Sequence, residues 1–270
     1  MRDNNRPWPA PSEPSIMTQT WENLMFMHWP VRPEQLRPFI PEELEIDTFD
    51  GSAWVGITPF VLSSIRWRGL PPIPGAAGFP EINVRTYVRA GRKPGVFFFS
   101  LDAASKLAVE GARLSFGLPY FLSDARVDPV RDGVHYRTTR IDDRASRATF
   151  VGEYRPTSQI QIAEPGTLEY FLTERYCLYT RAWRDAIWRA EIDHKPWPLQ
   201  NAEADVRINT MASAAGLELP EHEPLLHFSR YIDVKVWRIR RVPQEELIET
   251  EKHLPPERRP EMALLGDSAG

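Results

Sequence analysis

The clearest pattern along the chain is a two-residue alternation of apolar and polar positions. Ile82, Val84, Thr86 and Val88 alternate with Asn83, Arg85, Tyr87 and Arg89. Ile232, Val234 and Val236 alternate with Asp233 and Lys235. Each stretch predicts a half-buried strand, because successive side chains of a strand point to opposite faces. Val96 to Leu101 is apolar almost throughout, as expected of a strand buried on both faces. Arg131-Asp132-Gly133-Val134 places Asp-Gly between strand-like runs and predicts a hairpin. Tyr136 to Arg140 and Arg147 to Tyr154 continue the β pattern. Helical spacing is scarcer. Pro33 suits a first helical turn and is followed by Glu34, Leu36 and Phe39. Ala103 to Phe116 is the best helical segment, with Leu107, Ala108, Ala112 and Phe116 at three- and four-residue intervals and Pro119 to stop it. Gly166 to Thr173 predicts another short helix. Many strands with few, scattered helices predict an antiparallel sheet that is closed or sandwiched, not a βαβ fold.

Composition limits the classes of function. The 270 residues are 42% hydrophobic and 26% charged, enough for one globular domain without disulfide or metal staples. The formal net charge of -4 offers no basic excess for phosphates, so no nucleic-acid partner is expected. The same charge argues against docking on an anionic membrane, and no apolar run reaches the length of a membrane span. Residues 1–18 carry four prolines, Pro7, Pro9, Pro11 and Pro14, and read as a flexible tail without the apolar core of a secretory signal. Residues 19–242 read as the single folded domain. Residues 243–270 read as a short charged helix, Gln244 to Lys252, and a second tail. Cys177 stands alone in the apolar run Tyr176-Cys177-Leu178, where a small buried hydrophobe outweighs a reactive thiol. One cysteine and no signal fit a reducing, cytoplasmic setting.

Familiar catalytic motifs are missing. There is no Gly-x-Gly-x-x-Gly, phosphate loop, Gly-x-Ser-x-Gly, Cys-x-x-Cys or His-Glu-x-x-His. His222 and His227 are flanked by Pro220 and Pro224 and share no helix face, so no metal and no cofactor is expected. Trp183, Trp188 and Trp197 cluster with Arg181, Arg184 and Arg189, and packing outweighs an aromatic cage.

Several segments together resemble the YqjF-like family of uncharacterised bacterial proteins. They are Phe26-Met27-His28-Trp29-Pro30-Val31, Leu36 to Pro41 with Leu44-Glu45-Ile46-Asp47, Glu81 to Val88, Ala112-Arg113 with Leu118-Pro119-Tyr120, and Phe171 to Tyr176. The resemblance spans about residues 20–240 and places the chain beside the acetoacetate decarboxylases. It implies a mainly β (α+β) fold: a closed, cone-like antiparallel β-barrel with an internal cavity and a few short flanking helices. In the decarboxylases a helix leads to a Pro-Lys-Lys turn whose first lysine forms an imine. Here Gly111-Ala112-Arg113-Leu114 leads to Pro119-Tyr120-Phe121, so Tyr120 and Phe121 stand where the lysines would be. Neither side chain can form an imine. Lys106 reads as a solvated helix-start lysine. The decarboxylase arginine near the start of the core has no clear match in Trp21-Glu22-Asn23. Glu81 matches a cavity carboxylate.

These residues define the candidate site: Glu81, Arg85, Arg113, Tyr120 and Phe121. Glu81 and Arg85 share a strand face, either as a structural pair or with Arg85 holding a ligand carboxylate while Glu81 moves a proton. Tyr120 could hydrogen-bond a developing enolate. The favoured expectation is binding of a small, partly apolar molecule that bears a carboxylate. A lysine-independent lyase, isomerase or hydrolase using Glu81 and Tyr120 is the alternative. A protein-interaction module presenting the Trp183 to Trp197 region comes third. Assembly into homo-oligomers stays open.

Overall fold

The computed structural model describes residues 5–70 and 78–247. Thirteen strands dominate: β1 (Met17–Val31), β2 (Glu45–Ile46), β3 (Ala53–Trp67), β4 (Phe79–Ala90), β5 (Lys93–Ala103), β6 (Tyr120–Val130), β7 (Gly133–Arg140), β8 (Thr149–Pro156), β9 (Cys177–Ala182), β10 (Ala186–His194), β11 (Gln200–Asn209), β12 (Leu225–Val236) and β13 (Arg240–Arg241). The helices are short: α1 (Pro33–Leu36), α2 (Lys106–Phe116), α3 (Leu168–Thr173) and α4 (Met211–Ala214). No helix among the described residues is long and apolar enough to cross a membrane.

The ladders return on themselves. β5 pairs with β6, and pairing continues through β7, β8, β11, β12, β1, β3 and β4 back to β5. A second circuit leaves β5 through β9 and β10 and rejoins at β12. The strands β12, β1, β3, β4 and β5 are therefore common to both circuits. All pairings are antiparallel except β5 with β6 and β5 with β9.

This common wall has a core on each side. Met27, Ile57, Ile82, Val84, Tyr136 and Phe150 belong to one. Phe26, Phe60, Leu101, Ala103, Phe116 and Trp197 belong to the other, which α2 covers. β4 thus departs from the half-exposed strand that its alternation predicts. Its apolar positions Ile82 and Val84 face the first core, and its polar positions Asn83, Arg85 and Tyr87 are also buried. β12 keeps the predicted pattern, with Ile232, Val234 and Val236 buried and Tyr231, Asp233 and Lys235 exposed. The run in β5 departs the other way: Phe97, Phe98 and Phe99 are only partly buried.

α2 starts later than the sequence predicts, because Ala103 is still in β5. Ser105 caps the helix by accepting from the Ala108 N–H at 3.3 Å. Its buried residues are Val109 and Phe116, whereas Leu107 and Leu114 are exposed. The hairpin at Asp132-Gly133 forms with Arg131 and Asp132 as the loop between Val130 and Gly133. The segment before β1, read as a tail, packs onto the fold from residue 5. Arg6 is 3% exposed and pairs with Glu191, and Glu13 accepts at its carbonyl from the Trp237 indole at 2.7 Å. Of the predicted C-terminal helix, Gln244 to Leu247 are helical and 248–252 lie outside the described residues.

Candidate ligand site

The turn after α2 sets the geometry. Gly117 ends the helix in the left-handed region at φ 63°, and its N–H returns to the Arg113 carbonyl. Its missing side chain is required twice over, because a Cβ there would lie 2.4 Å from the Ala182 Cβ. Tyr120 then opens β6 beside Leu101, and its carbonyl accepts from Arg113 Nη1 at 2.9 Å. Strand alternation sends the next two side chains to opposite faces. Tyr120 reaches Glu81, with its hydroxyl donating to Oε2 at 3.0 Å. Phe121 turns the other way, under the Arg140 guanidinium at 4.3 Å.

Glu81 is 2% exposed. Burial pushes its carboxyl up to about 8, the Tyr120 hydrogen bond offsets part of that, and the Asp102 charge adds to it. Glu81 is therefore a neutral acid at pH 7. Burial, with the nearby Glu81, holds the Tyr120 phenol well above its ordinary value, so Tyr120 is a hydrogen-bond donor and not a phenolate.

Arg85 does not pair with Glu81. It is 8% exposed, and no carboxylate among the described residues bridges to it. Its neighbours are the rings of Phe26 at 5.2 Å and Tyr87 at 5.8 Å, and its Nε has no hydrogen-bond partner. His28 and Arg85 flank Gly56 across three adjacent strands, where a Cβ would touch both side chains at 3.1–3.3 Å. His28 Nε2 lies 2.6 Å from the Tyr87 hydroxyl, which itself donates to the Leu172 carbonyl at 2.8 Å. The hydroxyl has one proton, so the His28 Nε2–H must supply the other. That fixes the tautomer and leaves Nδ1 as a buried acceptor with no partner. Burial, with Arg85 nearby, keeps His28 neutral. Between Arg85 and Glu81 sit Asn83 and its cross-strand neighbour Thr58, whose Oδ1 and Oγ1 are also unpartnered. At the rise of a strand the acid and the cation start about 13 Å apart along β4.

The five expected residues are thus distributed over two places. Glu81, Tyr120 and Arg85 belong to the buried face of β4. Arg113 and Phe121 line a cleft of about 740 Å³ between the start of β6 and the end of β9. His28, Thr58 and Asn83 were not singled out from the sequence as site residues. Gly56, flanked by tight contacts, offers no sequence signal.

Other candidates lie elsewhere. Lys106 is exposed at the start of α2. Trp183 and Trp188 meet edge to face at 4.9 Å, whereas Trp197 is buried beside Phe26 at 5.0 Å. His222 is exposed and His227 is buried on β12, and no cluster with metal-ligating capacity occurs among the described residues. Cys177 is buried, and burial pushes its thiol up to about 12.

Comparison with known proteins adds four likenesses. The family of uncharacterised conserved proteins DUF2071 matches residues 18–233. The uncharacterised protein YqjF of Bacillus subtilis is 48% identical over 226 residues, covering 84% of this chain and 92% of that one. Among solved structures, the enduracididine biosynthesis enzyme MppR complexed with pyruvate aligns with a TM-score of 0.58 at 13% identity, covering 86% of this chain and 92% of that one. Acetoacetate decarboxylase from Legionella pneumophila aligns with a TM-score of 0.57 at 13% identity, covering 89% and 94%.

Proposed function

The chain belongs to the DUF2071 family of uncharacterised conserved proteins, and on that footing we propose that it holds a small, partly apolar carboxylate against the buried face of β4, without imine chemistry. The strand circuits are read as a closed, cone-like barrel, with this face turned into its interior. The observation that carries the proposal is Arg85: a buried guanidinium that has no ion pair. An uncompensated buried charge is strongly destabilising, and each buried polar atom without a partner costs about 1–3 kcal/mol. Arg85 Nε, His28 Nδ1, Asn83 Oδ1 and Thr58 Oγ1 lie on one face, so a polar guest would repay that deficit. The rings of Phe26, Phe60 and Tyr87 leave the remainder of the guest in apolar surroundings. MppR, a distant structural neighbour, is known complexed with pyruvate, itself a small carboxylate.

A second reading adds chemistry to the binding. Neutral Glu81, hydrogen-bonded to Tyr120, is a buried acid with its proton loosely poised near pH 8. As the neutral acid it could give its proton to a carbon beside the carbonyl of the held acid, and the carboxylate so formed could take one back, with the Tyr120 hydroxyl turning from Glu81 to the enolate oxygen.

The test is a thermal-shift panel of monocarboxylates from three to eight carbons. At least one acid should raise the midpoint of the wild-type protein. Arg85→Met should raise the basal midpoint by removing an unpaired buried charge, and should abolish the shift. A panel without effect, or an Arg85→Met protein that still responds, would sink the proposal.

A further inference from the structure

We propose that the fork between β6 and β9 is a second binding site, for a planar aromatic molecule that bears one anionic group. It is independent of the β4 face and rests on three observations.

The first is topological. β5 pairs in parallel with β9 at Val96 and Phe97, and with β6 at Leu101 to Ala103. Between those points neither strand runs beside β5, because the two have diverged. The gap is the cleft of about 740 Å³, a volume typical of small-molecule pockets. The Thr180 hydroxyl donates across it to the Gly117 carbonyl at 2.9 Å.

The second observation is its aromatic lining. Phe97, Phe98 and Phe99 are consecutive, line the cleft and remain partly exposed. Phe99 meets Phe97 at 5.9 Å and Phe39 at 6.3 Å, both edge to face. Phe121 is on the lining too. Leaving this much ring surface open forgoes burial free energy, of order 25 cal/mol per Å². A flat apolar guest recovers it, and rings accept other rings edge-on or offset.

The third is charge. Three arginines line the cleft. Arg144 is neutralised by Asp142 and Glu110, and Arg181 by Glu43 and Asp185. Arg113 has no carboxylate partner among the described residues. It gives one hydrogen bond, to the Tyr120 carbonyl, and its guanidinium lies 5.8 Å from the centre of the Phe121 ring. Its other N–H groups stay available, in the planar array that suits a carboxylate or sulfonate. One uncompensated cation beside an aromatic lining selects one anion on one ring system.

Calorimetric titration of the full chain with 2-naphthoate tests this. One site per chain is expected, with at least tenfold weaker binding of the neutral 2-naphthamide. Arg113→Gln should weaken 2-naphthoate at least tenfold and Arg113→Lys less, while Arg85→Met leaves it unchanged. Phe99→Leu, which keeps the charge and much of the volume, should weaken both ligands several-fold. The site would be overturned by no measurable binding at millimolar ligand, by equal affinity for acid and amide, or by equal affinity in Arg113→Gln. Loss in Arg85→Met with none in Arg113→Gln would move the ligand to the β4 face and overturn it as well. So would self-association of the chain through this cleft that excludes the ligand.

Discussion

Glu81 holds its proton to about pH 8 because burial seals its carboxyl away from water and the Tyr120 hydrogen bond only partly offsets that. The consequence for stability has a definite sign. In the unfolded chain the carboxyl titrates near its ordinary 4.5, so above that pH the native state holds a proton that the unfolded state has released. Stability from this group is complete below 4.5 and is lost as pH rises towards 8. Asp102, pushed up by burial with Arg140 opposing, acts in the same direction. The buried His28, His194 and His227 act oppositely. Burial lowers all three, so their stability is lost as pH falls through the ordinary histidine value of 6.5. At 6.5 the unfolded histidines are still half protonated, so up to about 7.5 they return part of the stability that Glu81 loses, and only above that does Glu81 act alone. At up to about 1.4 kcal/mol per pH unit, falling off near 8, Glu81 should cost the chain roughly 1.5 kcal/mol between pH 6.5 and 8, with the histidines offsetting part of it. Glu81→Gln should remove most of the loss, read as urea midpoints at the two pH values. An unchanged slope in the variant would show that Glu81 is ionised in the fold. The same variant decides the proton-transfer reading. With an acid found to bind, deuterium uptake from solvent should fall in Glu81→Gln, and unchanged uptake removes Glu81 from the chemistry.

Two glycines of one helix separate local propensity from packing. Gly111 lies in α2 with nothing within 4 Å of an added Cβ. Gly111→Ala should stabilise by about 0.5–1 kcal/mol, the difference in helix propensity. Gly117 ends the same helix at φ 63° with Ala182 2.4 Å from its virtual Cβ. Gly117→Ala should destabilise by roughly 2–4 kcal/mol, the sum of left-handed strain and overpacking. Denaturant midpoints measure both, and a neutral Gly117→Ala would mean that the fork can open at little cost. The helix and its stop were legible in the sequence, because Pro119 and Gly117 act locally. Its buried face was legible only in part: Phe116 is buried as expected, but Leu107 is exposed and Val109, outside the expected set, makes the other contact. Spacing gives a helix its period but not the direction of its neighbours. β4 shows the same limit more sharply. Its alternation alone predicts a half-buried strand, since alternation cannot distinguish water from a second core, whereas Asn83, Arg85 and Tyr87 are all buried. Glu81 and Tyr120 were found through resemblance, whereas His28 and Thr58 come into view only once β1, β3 and β4 are side by side.

At the scale of the whole molecule, the two strand circuits share a wall, and this arrangement decides which side chains are dry. A strand-rich fold was legible from periodicity. Closure was among the expectations, but the pairings that achieve it were not legible, because ones such as β10 with β12 join segments far apart in sequence. The buried surface made by these closures holds arginine, histidine and glutamate but no lysine among the described residues. Lys106, Lys195 and Lys235 are exposed, and Lys93 is partly buried with its ammonium 3.0 Å from Glu191. Imine formation at neutral pH needs an amine whose proton has been driven off by desolvation or by a neighbouring cation. An exposed lysine has neither, and the Lys93 ammonium is engaged in an ion pair with Glu191. Tyr120 and Phe121 occupy the turn where the decarboxylase-like resemblance would place lysines. The chain should therefore gain no mass when treated with acetoacetate or pyruvate and borohydride at pH 7, measured on the intact protein. Under the same conditions an authentic acetoacetate decarboxylase should become labelled. A stoichiometric adduct on any lysine would show that a desolvated amine exists in the fold, and the carboxylate at Arg85 would then be the handle of a substrate bound for an imine.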